Sequence, residues 1–277
     1  MGWHVTVRSR DSRVIAPSRA LRRAAVRALR RIAAAEELLA FAIVDSHIHL
    51  LLLCSRDRAG QIARALEISI SRQSKAAVAF DPARFKPIAD QSHLQAAFFY
   101  VLDQIRHHKI TSDPTHEGTV AQDLLGLRHL EPNVVTLVRE RLPRLTRAQI
   151  LRAANLPEFE ERVELDVLVD AAAAAFALAD LGGRADVTAR ARMAAVHAAP
   201  GVSVALLAST LDVDAHSIRR MRREKSDVLD TLAVRRQIGL RHAVATLGPV
   251  GGEEGWVAES AGTVYDRGNV GATAGFL

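Results

Sequence analysis

Apolar residues in the first 110 positions form short alternating or continuous runs, separated by segments in which they recur every three or four residues. The runs predict strands, and the recurring segments predict amphipathic helices. Pro17 with Ser18, then Asp57, then Ser92 are typical helix-start residues. The predicted elements are a strand at 3–7, a helix at 19–37, strands at 38–44 and 47–54, a helix at 58–73, a strand at 76–80 and a helix from 92 to about 108.

The first six of these elements follow the order strand, helix, strand, strand, helix, strand. That order predicts a ferredoxin-like sandwich, an antiparallel sheet with helices on one face. The last helix, residues 94–108, is extra to this arrangement and is expected to dock on its core. We therefore expect an α+β fold for this part of the chain.

Beyond about residue 136 the pattern becomes almost wholly helical, so an all-α C-terminal region should follow the sheet. Helices are predicted at 142–154, 164–181 and across 187–244, with a break at Gly182 and Gly183. From Leu247 onward glycine dominates, which is typical of a disordered or loosely attached tail. The expected divisions are an N-terminal domain (1–136), a helical connector (137–185), a C-terminal helical domain (186–246) and a glycine-rich tail (247–277).

Charge is distributed unevenly along this 277-residue chain, whose formal net charge is +6. Nine arginines and one aspartate fall within residues 1–35. A basic segment of this kind favours polyanionic partners such as nucleic acids. An arginine-rich composition is also typical of proteins from GC-rich genomes, so the charge alone does not identify a partner.

The single cysteine, Cys54, excludes an intramolecular disulfide and fits a reducing cytoplasm. The first residues lack the charged stretch and apolar core of a secretory signal. The most apolar segments, 38–44 and 50–54, are far shorter than a membrane span. We therefore expect a cytoplasmic protein without a membrane partner.

His47, Ile48 and His49 lie on a predicted strand. Side chains two residues apart on a strand project from the same face, so the two imidazoles stand side by side while Ile48 enters the core. Two imidazoles placed in this way form a bidentate clamp for a metal ion. Because the chain holds 11 histidines, this spacing also arises by chance.

Tyr100 is one of two tyrosines, and the other, Tyr265, falls in the glycine-rich tail. Gln104 follows Tyr100 by four residues, so the two side chains share one face of the predicted helix. The phenol and the amide oxygen then converge on one point, and an amide oxygen is a suitable ligand for Mg²⁺ or Mn²⁺. The alternative is that Tyr100 simply packs in the core after Phe98 and Phe99.

These segments together resemble the HUH single-strand DNA transposases, in particular the REP-associated tyrosine transposases. The similar segments are the first strand from Trp3 to Arg8, the His pair within residues 44–52, the helix at 57–73, and residues 85–88 with the helix at 94–110. The resemblance covers about residues 1–128, and it rests on the order and spacing of four motifs. Two departures are Asp45 and Ser46 where the family usually has Pro-Asn, and Gln104 and Ile105 where the REP-associated branch often has Asn-Pro.

This resemblance implies a metal-dependent enzyme that cleaves and rejoins single-stranded DNA. His47 and His49 match the family's metal ligands, Gln104 its polar third ligand and Tyr100 its nucleophile, with Mg²⁺ or Mn²⁺ as the cofactor. Attack by the tyrosine leaves a 5′-phosphotyrosine link and a free 3′-hydroxyl, which conserves the phosphodiester energy for rejoining. Basic side chains expected to hold flanking phosphates are Arg8, Arg10 and Arg106.

Residues 202–223 resemble a helix-turn-helix. Ser203 and Asp214 are placed to cap its two helices, Ala208 to permit a close crossing, and Ile218 and Met221 to face the core. A basic second helix suits a DNA groove or phosphates, although a three-helix bundle with a solvated basic face has the same pattern. The residues expected to face DNA are His216, Ser217, Arg219, Arg220, Arg222 and Arg223.

Two other functions compete with a transposase. The segment at 44–50 also looks like the metal motif of amidohydrolase barrels, but those need about 250 residues of alternating strand and helix. The non-enzyme alternative is a DNA-binding regulator that derives from such a transposase and has lost cleavage. Some relatives are dimers, and a homodimer is compatible with the sequence without being determined by it.

Overall fold

Four strands in the N-terminal part of the chain form one antiparallel sheet. The structure is a computed structural model, and it describes residues 2–34, 36–74, 78–130 and 133–247. The strands are β1 (Gly2–Arg8), β2 (Leu38–Ile43), β3 (His47–Leu52) and β4 (Arg84–Ile88). They lie in the order β2-β3-β1-β4, and each neighbouring pair is antiparallel. The predicted α+β class with an antiparallel sheet is therefore confirmed.

Three helices connect or follow these strands, and each begins at a capping side chain. Helices α1 (Arg19–Ile32), α2 (Arg56–Gln73) and α3 (Gln91–Leu102) have Ser18, Ser55 and Asp90 as their N-caps, and each cap accepts a hydrogen bond from a backbone N–H of the first turn. The predictions of Asp57 and Ser92 as caps are therefore wrong by two residues. In both cases an earlier polar residue has the extended backbone that an N-cap requires.

The first helix is also shorter than predicted. It ends at Ile32 and not at residue 37, because Ala33 is already extended and begins the approach to β2. The predicted helix from 92 to about 108 is interrupted at Asp103, so that α3 is followed by the short helix α4 (Gln104–His107).

The fourth strand of the sheet is not the apolar run that was predicted. Within the predicted strand at 76–80, residues 76 and 77 lie outside the described residues, and Phe80 contributes one isolated bridge to Ser9. The strand that pairs with β1 is β4, from Thr6 opposite Arg84 to Gly2 opposite Ile88. Because β4 is an edge strand, it accommodates Pro87 and exposed charged residues that a central strand would exclude.

The two faces of the sheet carry different chemistry. Cross-strand neighbours share a face, so His49 lies on the same face as its partners Thr6 and Ala42, while Ile48 points to the opposite face. Helix α3 covers the His49 face, and α2 packs on the other, where the guanidinium of Arg56 lies 3.3 Å from the ring centroid of Phe85. The face of the histidines is therefore walled by the helix that carries Tyr100.

The outer edge of β2 is covered by a later segment. The N–H of Ile43 donates to the Gly118 carbonyl oxygen at 2.9 Å, and the N–H of Val120 donates to the Phe41 carbonyl oxygen at 3.0 Å. A Cβ atom on Gly118 would lie 2.9 Å from the Ile43 carbonyl oxygen, so only glycine permits this approach. The contact protects the edge of β2 from pairing with another chain.

The remainder of the described chain is helical. Its helices are α5 (Ala121–Leu124), α6 (Val135–Arg141), α7 (Arg147–Ala153), α8 (Leu168–Ala175), α9 (Asp186–Ala198), α10 (Val204–Leu211), α11 (Ala215–Arg223) and α12 (Val228–Leu247). The helices predicted at 142–154 and 164–181 are shortened to α7 and α8, and the segment predicted at 187–244 is divided among α9 to α12. No helix in the described ranges combines the length and the apolar character needed to cross a membrane. The predicted glycine-rich tail, apart from Leu247, lies outside the described residues.

Buried apolar residues form two large clusters. One joins the sheet and helices α1 to α3 with residues up to Phe159 and with Ala177, Leu240 and Ala243, and the other joins α8 to α12. Within the second cluster, Ser203 and Asp214 cap α10 and α11, and Ile218 and Met221 are buried, as predicted. Asp212 between the two helices adopts a left-handed conformation with φ of 50°.

A buried network of charges connects the two clusters. Glu117, which is 2% exposed, accepts a hydrogen bond from Arg23 of α1 at 2.6 Å and another from Arg241 of α12 at 2.6 Å. Both arginines also contact Asp170 of α8. Burial raises the pKa of Asp170, but the combined effect of Arg241 and Arg23 outweighs burial and lowers the pKa to about 2. The network therefore joins the sheet domain to the C-terminal helices through paired charges.

Removal of Glu117 is expected to destabilise the protein strongly. In Glu117→Ala two buried guanidinium groups lose their shared carboxylate, and a broken buried pair costs about 3–5 kcal/mol. Urea denaturation followed by circular dichroism measures the free energy of unfolding. The control is Glu158→Ala, which removes a 73% exposed carboxylate lying 3.7 Å from Arg147, and should cost less than about 1 kcal/mol. Equal losses in the two variants would contradict a structural role for the network.

Candidate metal and nucleophile site

Two histidines of β3 lie on the same face of the sheet. Ile48 between them is completely buried, while His47 is half-buried and His49 is 4% exposed. The two ring centroids lie 4.8 Å apart with an interplanar angle of 73°. The Nε2 atom of His49 is buried and has no hydrogen-bond partner among the described residues. A buried polar atom in this state is costly unless it binds a ligand.

Tyr100 of α3 lies directly against this pair. Its ring centroid is 5.6 Å from that of His49, and the two rings meet edge to face at 84°. The same ring lies 5.5 Å from the ring of His4 on β1. Tyr100 is half-buried, so it belongs neither to the dry core nor to the open surface. The tyrosine and the histidines that the sequence singled out are thus brought together.

Gln104 lies one turn after Tyr100, at the start of α4. Its Nε2 donates to the backbone carbonyl oxygen of Tyr100 at 2.9 Å, which bridges the interruption between α3 and α4. Its Oε1 is buried and has no partner within the described part of the chain. Gln104 therefore both supports the tyrosine's backbone and offers an unpaired oxygen near the ring.

His108 is a residue of the site that sequence analysis missed. Its ring centroid lies 4.5 Å from that of His47, and one ring nitrogen from each of His47, His49 and His108 can be chosen so that all three lie within 4.8 Å of one another. The sequence carried only a weak signal, a pair of adjacent histidines after the tyrosine helix. Since a continuous helix was predicted there, nothing indicated that His108 returns to the sheet.

His4 is the second residue that was missed, although it belongs to the predicted first strand. Its Nε2 lies 3.0 Å from Nδ1 of His49, and the two rings are stacked with centroids 5.2 Å apart. His4 pairs with Leu51 in the β1–β3 register, two residues along from the pair of Thr6 with His49. The sequence indicated only that His4 and Thr6 lie on the same face of the first strand. Whether that face meets the histidine pair depends on which strands are neighbours in the sheet.

The imidazoles of the site are held in their neutral form. Burial, with Lys86 and His93, lowers the pKa of His4 to about 4. Burial, with His108, Arg8 and His107, lowers the pKa of His47 to about 4, and burial together with the neighbouring histidines lowers the pKa of His49 well below its usual value. At neutral pH these rings therefore offer lone pairs to a cation, which is the state that metal binding requires.

The phenol of Tyr100 is held in its protonated form. Burial raises its pKa above the ordinary value near 10, and a hydrogen bond donated by the side-chain amide of Gln104, which favours the phenolate, opposes that increase. Any reaction in which Tyr100 acts as a nucleophile must therefore remove its proton as the new bond forms.

The three arginines expected near this site differ in whether an acidic side chain already pairs with them. Arg8 is exposed and pairs with His47 in the β1–β3 register, so it lies beside the histidines. Arg10 is exposed but lies 3.6 Å from Asp81, and Arg106 forms a 2.6 Å ion pair with Asp103. Arg8 is thus the best placed of the three to meet a phosphate at the site.

The predicted DNA-facing helix, α11, exposes most but not all of its basic residues. Arg222 is half-buried and its guanidinium donates to the Val202 carbonyl oxygen, so it ties α11 to the segment before α10. Ser217 is half-buried and donates to Asp214 at 2.7 Å. The residues that remain exposed on this helix's basic face are His216, Arg219, Arg220 and Arg223.

A second group of possible metal ligands, His129 with Asp227 and Asp230, has a different character. Asp230 is buried and lies 2.6 Å from Nδ1 of His129, and Arg190 donates to both of its carboxylate oxygens at 2.5 and 2.7 Å. A guanidinium already neutralises this carboxylate. We therefore interpret this group as a structural ion pair that holds α9 and α12 to the loop before α6.

Comparison with known proteins adds no relative of this chain. No protein-family model, no curated protein and no solved structure matches it. The function is therefore inferred from the geometry of the site.

Acidification of the metal-free protein is expected to destabilise the fold between about pH 6.5 and pH 4. His4 and His47 have folded pKa values near 4, below their unfolded value of 6.5, so the unfolded chain binds more protons in this window and stability falls with pH. The loss should exceed about 1.4 kcal/mol, which is the value of one pKa unit.

Urea unfolding at several pH values measures this effect. The His47→Gln variant lacks one of the titrating rings and should show a smaller decrease. A free energy of unfolding that stays constant from pH 7 to pH 5 would contradict the buried neutral state of the cluster.

Proposed function

We propose that this protein is a single-strand DNA endonuclease and strand transferase of the HUH tyrosine transposase type. The observation that carries the proposal is the position of Tyr100, whose ring lies edge-on to His49 at a centroid distance of 5.6 Å. A tyrosine in the hydrophobic interior, away from the histidine pair, would have removed the basis for it. The half-buried ring lies beside two atoms without hydrogen-bond partners in the described residues, Nε2 of His49 and Oε1 of Gln104, and this position suits a nucleophile.

The arrangement of the sheet supports this assignment. Helix α1 connects β1 to β2, helix α2 connects β3 to β4, and the strand order is β2-β3-β1-β4. This is the arrangement expected of the ferredoxin-like sandwich. In it the histidine strand lies next to the first strand at the centre of the sheet, and the tyrosine helix follows the last strand.

The donor atoms fit a divalent cation. His47, His49 and His108 would hold it through ring nitrogens, and Gln104 offers an amide oxygen that is otherwise unpaired. When bound, the cation would polarise the scissile phosphate and stabilise negative charge on its non-bridging oxygens. Because imidazole is a better ligand for transition metals than for Mg²⁺, the residues favour Mn²⁺ of the two cations expected.

The chemical step uses the phenol oxygen of Tyr100. This oxygen attacks the phosphorus and the bond between phosphorus and the 3′ oxygen breaks; the phenol loses one proton and the leaving 3′ oxygen gains one. The products are a 5′-phosphate joined to Tyr100 and a free 3′-hydroxyl, so the reverse attack by a 3′-hydroxyl rejoins DNA without ATP. Gln104 orients the nucleophile through its bond to the Tyr100 backbone, and Arg8 contacts a flanking phosphate.

Formation of a covalent DNA adduct tests this proposal. The purified protein is incubated with Mn²⁺ and a hairpin oligonucleotide with a single-stranded flank, labelled at its 3′ end, because the downstream fragment stays on the protein. Denaturing electrophoresis should show a labelled protein band with the wild type. Tyr100→Phe lacks the attacking oxygen and should lose the band completely.

Tyr265→Phe is the matched control, because it removes the chain's only other tyrosine. The proposal requires that this variant keeps the adduct. A band that persists in Tyr100→Phe and disappears in Tyr265→Phe would show that Tyr265, and not Tyr100, is the nucleophile. A 5′-labelled oligonucleotide should instead release a shorter free fragment.

The second candidate function is DNA binding without cleavage. The exposed basic residues of α11 favour it, because Arg219, Arg220 and Arg223 lie on the surface of a capped helix that follows a tight turn. Such a surface suits the phosphates or the groove of duplex DNA. Retention of the labelled DNA in a native gel with no adduct in the denaturing gel would support this regulator over the enzyme.

The proposed ligand set makes a separate prediction for metal affinity. His108→Ala removes a direct ligand, so it should weaken Mn²⁺ binding by more than the roughly tenfold that an outer-shell partner contributes. His107→Ala changes the adjacent exposed histidine and should leave the affinity nearly unchanged. Isothermal titration calorimetry in the absence of DNA measures both. Equal affinities in the two variants would exclude His108 from the site.

A further inference from the structure

We propose that His4 is a positioning residue, which fixes the ring of His49 so that its Nε2 faces the cation. This inference rests on the proposed function, since it concerns the histidine pair of the same site. The observation that carries it is the contact of 3.0 Å between Nε2 of His4 and Nδ1 of His49.

The two nitrogens of His49 have opposite surroundings. Nδ1 is engaged by His4, while Nε2 is buried and has no partner among the described residues. A neutral imidazole carries one proton, so one of its nitrogens donates and the other offers a lone pair. A cation on Nε2 requires the proton on Nδ1, and Nδ1 then donates to Nε2 of His4. When Nδ1 of His49 is the donor, this contact stabilises the tautomer whose Nε2 lone pair is available to a metal.

The same contact also restricts the orientation of the His49 ring. The rings of His4 and His49 are stacked with an interplanar angle of 22°, and the two residues are 7% and 4% exposed. Rotation of His49 about its side chain would break the hydrogen bond and the stack together. Such a restrained ligand loses little freedom when a cation binds.

His4 also connects the ligand to the nucleophile. Its ring lies 5.5 Å from that of Tyr100, so it touches both groups that the reaction needs. The contact depends on the pairing of β1 with β3, which places residues 45 positions apart in the chain next to each other. A role in packing alone would account for the stack but would not require a hydrogen-bond acceptor at this position.

Two substitutions separate packing from positioning. His4→Phe retains an aromatic ring and removes the hydrogen-bond acceptor. His4→Gln removes the ring but supplies an amide oxygen that can replace Nε2 as the acceptor. The matched control is His242→Phe, which changes a histidine of α12 that contacts Glu164 instead of this site. The full-length proteins are titrated with Mn²⁺ without DNA, and the absorption spectrum of bound Co²⁺ and the metal-free melting temperature are recorded.

We expect His4→Phe to bind Mn²⁺ about 10–100-fold more weakly than the wild type, as for other outer-shell partners of metal-binding histidines. His4→Gln should recover most of the affinity and a Co²⁺ spectrum close to that of the wild type. His242→Phe should bind as the wild type does. The metal-free melting temperature of His4→Phe should fall only slightly, because the ring packing is retained and a single hydrogen bond is lost.

Several results would overturn the inference. Equal Mn²⁺ affinity in His4→Phe and the wild type would show that His49 needs no positioning partner. A weaker affinity that His4→Gln fails to restore, with a lowered melting temperature in both variants, would assign His4 to packing. A wild-type protein that binds neither Mn²⁺ nor Co²⁺ would overturn the proposed metal site together with this inference. A wild-type protein that binds the metal but forms no DNA adduct would overturn only the proposed enzymatic activity.

Discussion

The antiparallel pairing of β1 with β3 is the interaction on which the candidate site depends. Its register sets Thr6 opposite His49 and His4 two residues away, so that two imidazoles from distant parts of the chain share one face. A shift of one residue would turn every side chain of a strand to the opposite face. The completely buried residues Val5 and Ile48 oppose such a shift, because it would bring Thr6 and His49 onto the apolar face that they occupy.

The interruption of the tyrosine helix at Asp103 is the second constraint. In a continuous helix, His108 would lie about 12 Å further along the axis than Tyr100, since each residue adds about 1.5 Å. In the structure the ring centroid of His108 lies 4.5 Å from that of His47, and the ring of Tyr100 lies against that of His49. Gln104 stabilises this break through its bond to the Tyr100 carbonyl oxygen. The interrupted helix thus carries Tyr100 and His108 to the same face of the sheet.

The C-terminal helices are joined to the sheet domain through charge as well as through apolar packing. Glu117 lies between Arg23 and Arg241, and Asp170 contacts both arginines. Buried charges tolerate few alternative arrangements, because each needs its partner in place. Such a network fixes the relation between the sheet and the C-terminal helices.

Local patterns in the sequence were sufficient for the α+β class, for the strand that presents His47 and His49 on one face, and for the caps at Ser203 and Asp214. These features depend on residues close in the chain, where periodicity and capping preferences act. The position of β4 was mistaken because an edge strand does not need the apolar run that marks a buried one. His4 and His108 were recognisable only in the tertiary structure. Their approach to His49 and His47 depends on strand order and on a helix break, which distant contacts decide and local periodicity does not encode.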